Sequence, residues 1–159
     1  MDNAKTEIWY DDLNPGDRYT SQTGILMTEA AIVAFAREFD PQPGHDDPVA
    51  AQRTFFRGLA ASGWHTAAVT MRLRADVGFP IGNGIVGAGV EIAWPTPTRP
   101  GDELKLELVV KEKRLSSTKP DRGIVIVEYD TRNQRGEHRQ HTRTTLVVFR
   151  DPSLTAVAT

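Results

Sequence analysis

The stretch SGWHTAAVTMRLRAD, residues 62–76, decides the fold. It reads as a helix that Ser62 caps and that Gly78 and Pro80 end. Trp64, Ala67, Ala68 and Met71 lie on one face, with Val69 and Leu73 beside them. Small residues crowd its start, namely Ala60, Ala61, Gly63, Ala67 and Ala68, so the helix can lie close against a sheet. That sheet is written downstream. Leu104, Leu106, Leu108 and Val110 alternate with Lys105, Glu107, Val109 and Lys111, nearly a pure period of two. Residues 123–132 and 137–150, rich in Val, Ile, Thr and Tyr, form a long hairpin across Asn133-Gln134-Arg135-Gly136. Residues 84–94 make another strand, where Gly87 and Gly89 mark a bend or a close backbone approach. With an early strand near 17–25, the pattern predicts an α+β fold: an antiparallel sheet of about five strands wrapped around the 62–76 helix.

Upstream, TEAAIVAFAREF, residues 28–39, is a second helix. Thr28 is its N-cap, and Ile32, Phe35, Ala36 and Phe39 form an apolar stripe. It stops at about Phe39, because Asp40 precedes Pro41 and a residue before proline is pushed out of the α region. Asn14-Pro15-Gly16-Asp17 and Arg99-Pro100-Gly101-Asp102 reuse one turn, and Pro followed by Gly suits type II.

The chain has 159 residues, one domain's worth, with a core expected over about 10–150 and a flexible tail at 151–159. Lys plus Arg is 19 and Asp plus Glu is 21, a net charge of −2 that argues against a generic nucleic-acid binder. The absence of cysteine excludes a disulfide framework, a thiol nucleophile and a Cys-ligated metal site. No apolar run reaches the ~20 residues of a membrane helix. The polar, acidic start MDNAKTEIWYDDLNPGD is not a signal peptide. A cytoplasmic protein is expected.

Residues 39–48, FDPQPGHDDP, carry the chemistry. Three prolines stiffen a stretch that presents a carboxylate, Asp40, an amide, Gln42, and an imidazole, His45. Asp and His so placed can hold and transfer protons, although on composition alone an ordinary polar turn is the plainer reading. Gly58 to His65, GLAASGWH, leads into the helix. A helix start presents unpaired N–H groups, and Gly63 there can receive an oxyanion; taken alone, Gly63 is more simply a packing glycine.

Asp40-Pro41-Gln42-Pro43-Gly44-His45, followed downstream by Ser62-Gly63, resembles the signature of the MaoC-like family, which includes the R-specific enoyl-CoA hydratases. The flanks agree: a helix before the signature, Asp47-Pro48 and alanines after it, and Arg99-Pro100-Gly101-Asp102 leading into a strand. The resemblance covers roughly 10–150 and implies a single hotdog domain. It also implies hydration of 2-enoyl thioesters or dehydration of 3-hydroxyacyl thioesters, on coenzyme A or an acyl carrier. Asp40 and His45 are then catalytic: they hold the water, one taking its proton while the other protonates the α-carbon. Gly63 is the oxyanion hole, and Gln42, Ser62 and His65 support the pocket or its loop. Gln42 stands for the usual Asn, Gly44 for a bulky apolar residue, Ser62 for a frequent His, and Met71 for a serine, with Thr70 adjacent.

Arg53, Arg57, Arg72 and Arg74 flank the site, and Lys111 to Arg122 is a second basic cluster. Arg57 is the candidate for a coenzyme A phosphate, although each of these is more simply solvated surface. His65 either faces the pocket or packs. His138 and His141, three apart on a strand, are expected on opposite faces, which argues against a metal site; no cofactor is implied. Trp9, Trp64 and Trp94 read as core or interface residues. Hotdog domains pair side by side, so a homodimer or higher homo-oligomer is expected. The competing readings are a hotdog thioesterase and a catalytically silent acyl-binding or assembly subunit.

Overall fold

A computed structural model describes residues 7–155 of the chain. The strands are β1 (Arg18–Thr20), β2 (Ile25–Leu26), β3 (Val86–Ala93), β4 (Glu103–Leu115), β5 (Arg122–Arg132) and β6 (His138–Phe149). The helices are α1 (Glu29–Phe39), α2 (Pro43–Asp46), α3 (Gly63–Asp76) and α4 (Pro152–Thr155). The sheet runs β1-β4-β5-β6-β3, with β2 also pairing β4, and every pairing is antiparallel. This is the hotdog arrangement, a curved sheet around α3. The early strand near 17–25 is two short strands, so the sheet has six. Residues 156–159 of the expected flexible tail lie outside the described residues.

Period-two burial builds the core. Leu104, Leu106, Leu108 and Val110 of β4, Val125, Val127 and Tyr129 of β5, and Leu146 and Val148 of β6 point inward. Ile32 and Leu73 from the helices meet them. Full burial of one such aliphatic side chain stabilises by about 1.5–3 kcal/mol. The two Pro-Gly turns form as read. Gly16 and Gly101 have φ of +98° and +88°, and Asp17 N and Asp102 N donate to Asn14 O and Arg99 O. In each turn the Asp carboxylate also accepts the first residue's N–H.

The two main helices keep their expected limits, with Thr28 accepting Ala31 N–H and Ser62 accepting Trp64 N–H as caps. Their faces differ from the reading. Phe39 is exposed, as are Trp64, Ala68 and Met71, the face read as apolar packing. The buried side of α3 is His65, Thr66, Thr70 and Leu73. Its hydroxyls are tolerated because they are paired, Thr66 to Thr98 and Thr70 to Thr131, both at 2.9 Å. Trp64 and Trp94 are accordingly not core residues; they meet edge to face at 5.6 Å, Trp64 largely open to solvent and Trp94 partly so. Lys111 to Leu115 belong to β4, and Lys111 pairs with Glu128, so only the second half of the basic cluster is a turn. A register shift between Thr131 and Arg132 sets His138 and His141 on the same side, both against Asp130 Oδ1 at 3.3 and 3.1 Å, not on opposite faces.

Candidate active site

The end of α1 places the carboxylate. Asp40 is its C-cap, and Pro41 prevents a further turn. The segment after it is a single helical turn, α2, with Pro43 at its start. Gln42 O accepts from His45 N and Asp46 N, which winds the imidazole back toward Asp40. Gln42, the N-cap of α2, makes no side-chain cap; its amide donates to Asp40 Oδ1 at 2.5 Å. Gly44 is closely packed. A Cβ there would lie 2.8 Å from the Phe56 ring, so the phenylalanine occupies that space.

His45 is buried, and its tautomer is fixed by its neighbour. Nδ1 lies 2.7 Å from Ala60 O, which can only accept, so Nδ1 carries the hydrogen and Nε2 keeps a lone pair when neutral. Gly44 O accepts Ala60 N, so the two strips of backbone are pinned at two points. Nε2 stands 3.8 Å from Asp40 Oδ2. That oxygen also accepts the Ser62 hydroxyl at 2.6 Å, while Ser62 Oγ accepts Trp64 N–H at 3.2 Å. One serine thus caps α3 and ties the carboxylate to the helix tip. The Ser62 hydrogen bond is the largest influence on Asp40. It holds the carboxyl below the usual range against the opposing effect of burial, aided by Gln42 and His45.

A cavity of about 420 Å³ opens beside the imidazole, lined among others by His45, Ala61, Gly63, Trp94 and Arg139. Asp40 is not among its lining residues; its side chain is 21% exposed. Gly63 borders the cavity, but the space over its Cα is taken. A Cβ would lie 2.7 Å from the Trp94 indole. The glycine is therefore required by packing at the same point where its N–H would serve. His65 does not line this cavity. It is buried and stacks on Phe35 at 4.6 Å, Nδ1 has no hydrogen-bond partner among the described residues, and burial lowers its pKa. Arg57 is exposed, at φ +51° in the turn before Gly58.

The residues that brace this region carry little sequence signal. Arg99 donates to the carbonyls of Phe56, Gly58 and Leu59 and so fixes the turn that delivers Ala60. Arg139 and Asp102 form a nearly fully buried ion pair, with Nε to Oδ2 at 2.7 Å. Burial alone would raise Asp102, but Arg139, the Arg99 N–H and Asn133 together keep it low. Arg139 also donates to Thr96 Oγ1 at 2.7 Å, holding the Trp94–Thr98 segment over the cavity. Only the Arg99–Asp102 turn marked this network in advance.

The MaoC like domain profile matches residues 12–133. The chain is similar to a Bacillus subtilis protein, the uncharacterized YdeM, at 37% identity over 114 residues, covering 70% of this chain and 78% of that one. It is similar to the crystal structure of a MaoC-like dehydratase from Rhodospirillum rubrum, with 53% identity, a TM-score of 0.88, and 91% and 99% of the two chains covered. The unliganded R-hydratase PhaJ1 from Pseudomonas aeruginosa matches with 26% identity and a TM-score of 0.69, over 91% and 88%.

Proposed function

Because the chain belongs to the MaoC-like domain family, we propose that it is a hydratase/dehydratase that adds water to a 2-enoyl thioester or removes it from a 3-hydroxyacyl thioester, with Asp40 and His45 as catalytic residues. The observation that carries this reading is the 3.8 Å approach of Asp40 Oδ2 and His45 Nε2 beside the capped tip of α3. Ionised Asp40 and the free Nε2 are both acceptors, so a molecule with two O–H donors satisfies both. Water is that molecule. His45 Nε2 takes one proton while the water oxygen bonds to the β-carbon. The imidazolium, facing the Asp40 carboxylate, then gives that proton to the α-carbon, so His45 makes both transfers that the resemblance divided between two groups, and Asp40 stays ionised. The Gly63 N–H receives the negative charge that develops on the thioester oxygen between the two transfers. Ser62 and Gln42 keep Asp40 ionised throughout.

A positioned acid or base is worth about 10²–10⁴-fold, so Asp40→Asn and His45→Ala each lose most of the turnover while the fold is kept. The test is a panel of enoyl-CoA esters with chiral analysis of the product. Loss of the enoyl absorbance indicates hydration. Release of free thiol indicates a thioesterase, and saturable binding with neither indicates a silent acyl-binding subunit. Full activity in both purified variants refutes the assignment. Arg57 remains the proposed contact for a coenzyme A phosphate. The proposed homodimer fits β3, which ends the strand order and is exposed along most of its length. Sedimentation measures that state. Among the described residues no helix is long and apolar enough to cross a membrane.

A further inference from the structure

A second cavity, of about 640 Å³, lies between α3 and the inner faces of β6 and β3. Its walls are largely apolar, with Met71, Ile92 and Leu146 among them, and no carboxylate among the described residues lines it. One cation does. Arg74 lines the cavity, and its Nε and Nη1 are buried with no hydrogen-bond partner among the described residues. The polar groups nearby, Tyr129, Thr142 and Thr144, are neutral hydroxyls. Burial raises the Tyr129 phenol, against the lowering influence of the Arg74 charge and of hydrogen bonding with Thr144 and Arg74, so the guanidinium is engaged there in part while Nε and Nη1 stay idle. The contrast with Arg139 is plain, since that guanidinium is matched by Asp102 at 2.7 Å. Arg74 is half-buried overall, and its two buried, idle nitrogens are costly, because their lost hydration is not replaced. An incoming anion would replace it.

Two features set this cavity beside the catalytic region. Gly63 borders the first cavity, and Ala67, Thr70, Met71 and Arg74 follow along α3 into the second. The helical rise puts the Gly63 and Arg74 backbones about 16 Å apart, and side chains on a helix lean toward its N-terminus, which shortens that gap. Trp94 of the first cavity donates from Nε1 to Gln140 Oε1 of the second at 2.9 Å, so the two share a wall. We propose that the second cavity takes the acyl group and that Arg74 binds a carboxylate at its far end. The substrate is then a thioester of an unsaturated dicarboxylic acid, not of a plain fatty acid. The proposal rests on the hydratase reading for its chemistry.

The experiment compares pairs of 2-enoyl-CoA esters of equal length, one ending in methyl and one in carboxylate, over about four to eight carbons. The expected result on the wild-type protein is a kcat/KM at least about tenfold higher for the carboxylate ester at one length, the scale of a charge-assisted hydrogen bond. R74M brings that ratio to near one, and R74K keeps part of it. Equal or better turnover of the methyl ester at every length overturns the proposal, and this arm needs no variant to fold. If neither ester is hydrated, the hydratase reading has failed, and calorimetric binding decides the Arg74 assignment separately. Tighter binding of the carboxylate ester by wild type but not by R74M upholds it; equal binding overturns it.

Discussion

Replacing Ser62 by alanine removes two interactions with one oxygen. Loss of the N-cap to Trp64 N–H costs about 0.5–2 kcal/mol. Loss of the 2.6 Å bond to Asp40 Oδ2 removes a hydrogen bond to a charged acceptor, worth about 1.5–3 kcal/mol when water cannot take its place. Asp40 is 21% exposed, so water replaces part of it and the lower end applies. The sum is about 2–3.5 kcal/mol, or roughly 4–14 °C in Tm for a chain of this size. S62G divides the two contributions, because glycine caps within a few tenths of a kcal/mol of serine and has no hydroxyl to donate. The pH dependence follows from the sign of the shift. Asp40 lies below its ordinary value in the folded chain, so its contribution is present above the unfolded value and lost as pH falls through the folded one. The stability gap between wild type and S62A is therefore widest near neutrality and narrows below about pH 4. In activity, the acid limb of the S62A profile moves to higher pH. Urea unfolding at neutral and acid pH, together with pH–rate profiles, measures both effects. A gap of equal size at both pH values, with an unmoved acid limb in folded protein, refutes the reasoning.

Three further outcomes are expected. R139M leaves the buried Asp102 with the 3.5 Å contact to the more exposed Arg135 as its remaining ion pair and lowers stability by about 3 kcal/mol, the lower end for a broken buried pair, read from urea midpoints at neutral pH. His65, whose pKa is lowered by burial, lets the unfolded chain take the proton first, so stability falls as pH drops below about 6.5. H65F keeps the stack on Phe35 and flattens that slope in melts across the same range. G63A drives a methyl into the Trp94 indole at a cost of about 1–3 kcal/mol, and a double-mutant cycle with W94A shows that cost largely relieved.

The sequence by itself determined whatever depends on local stereochemistry and short-range pattern. The period of two in 104–110 required a one-sided strand, Pro41 ended α1 at Phe39, Ser62 began α3, and the Pro-Gly pairs made both turns. Asp40 and His45 were legible because the proline-stiffened signature is six residues long and needs no distant partner. Tertiary structure alone decided the faces and the partners. Residues apolar in pattern, such as Trp64 and Met71, lie outward because Thr66 and Thr70 find hydroxyl partners, Thr98 in the β3–β4 connection and Thr131 on β5, and can be buried instead. The pairing of Arg139 with Asp102, the Arg99 clamp and the orphaned donors of Arg74 join residues far apart in the chain or depend on a cavity that many elements enclose. One residue of register shift turned His138 to the side of His141. Such features are set by which surfaces meet, and a linear pattern carries no term for that.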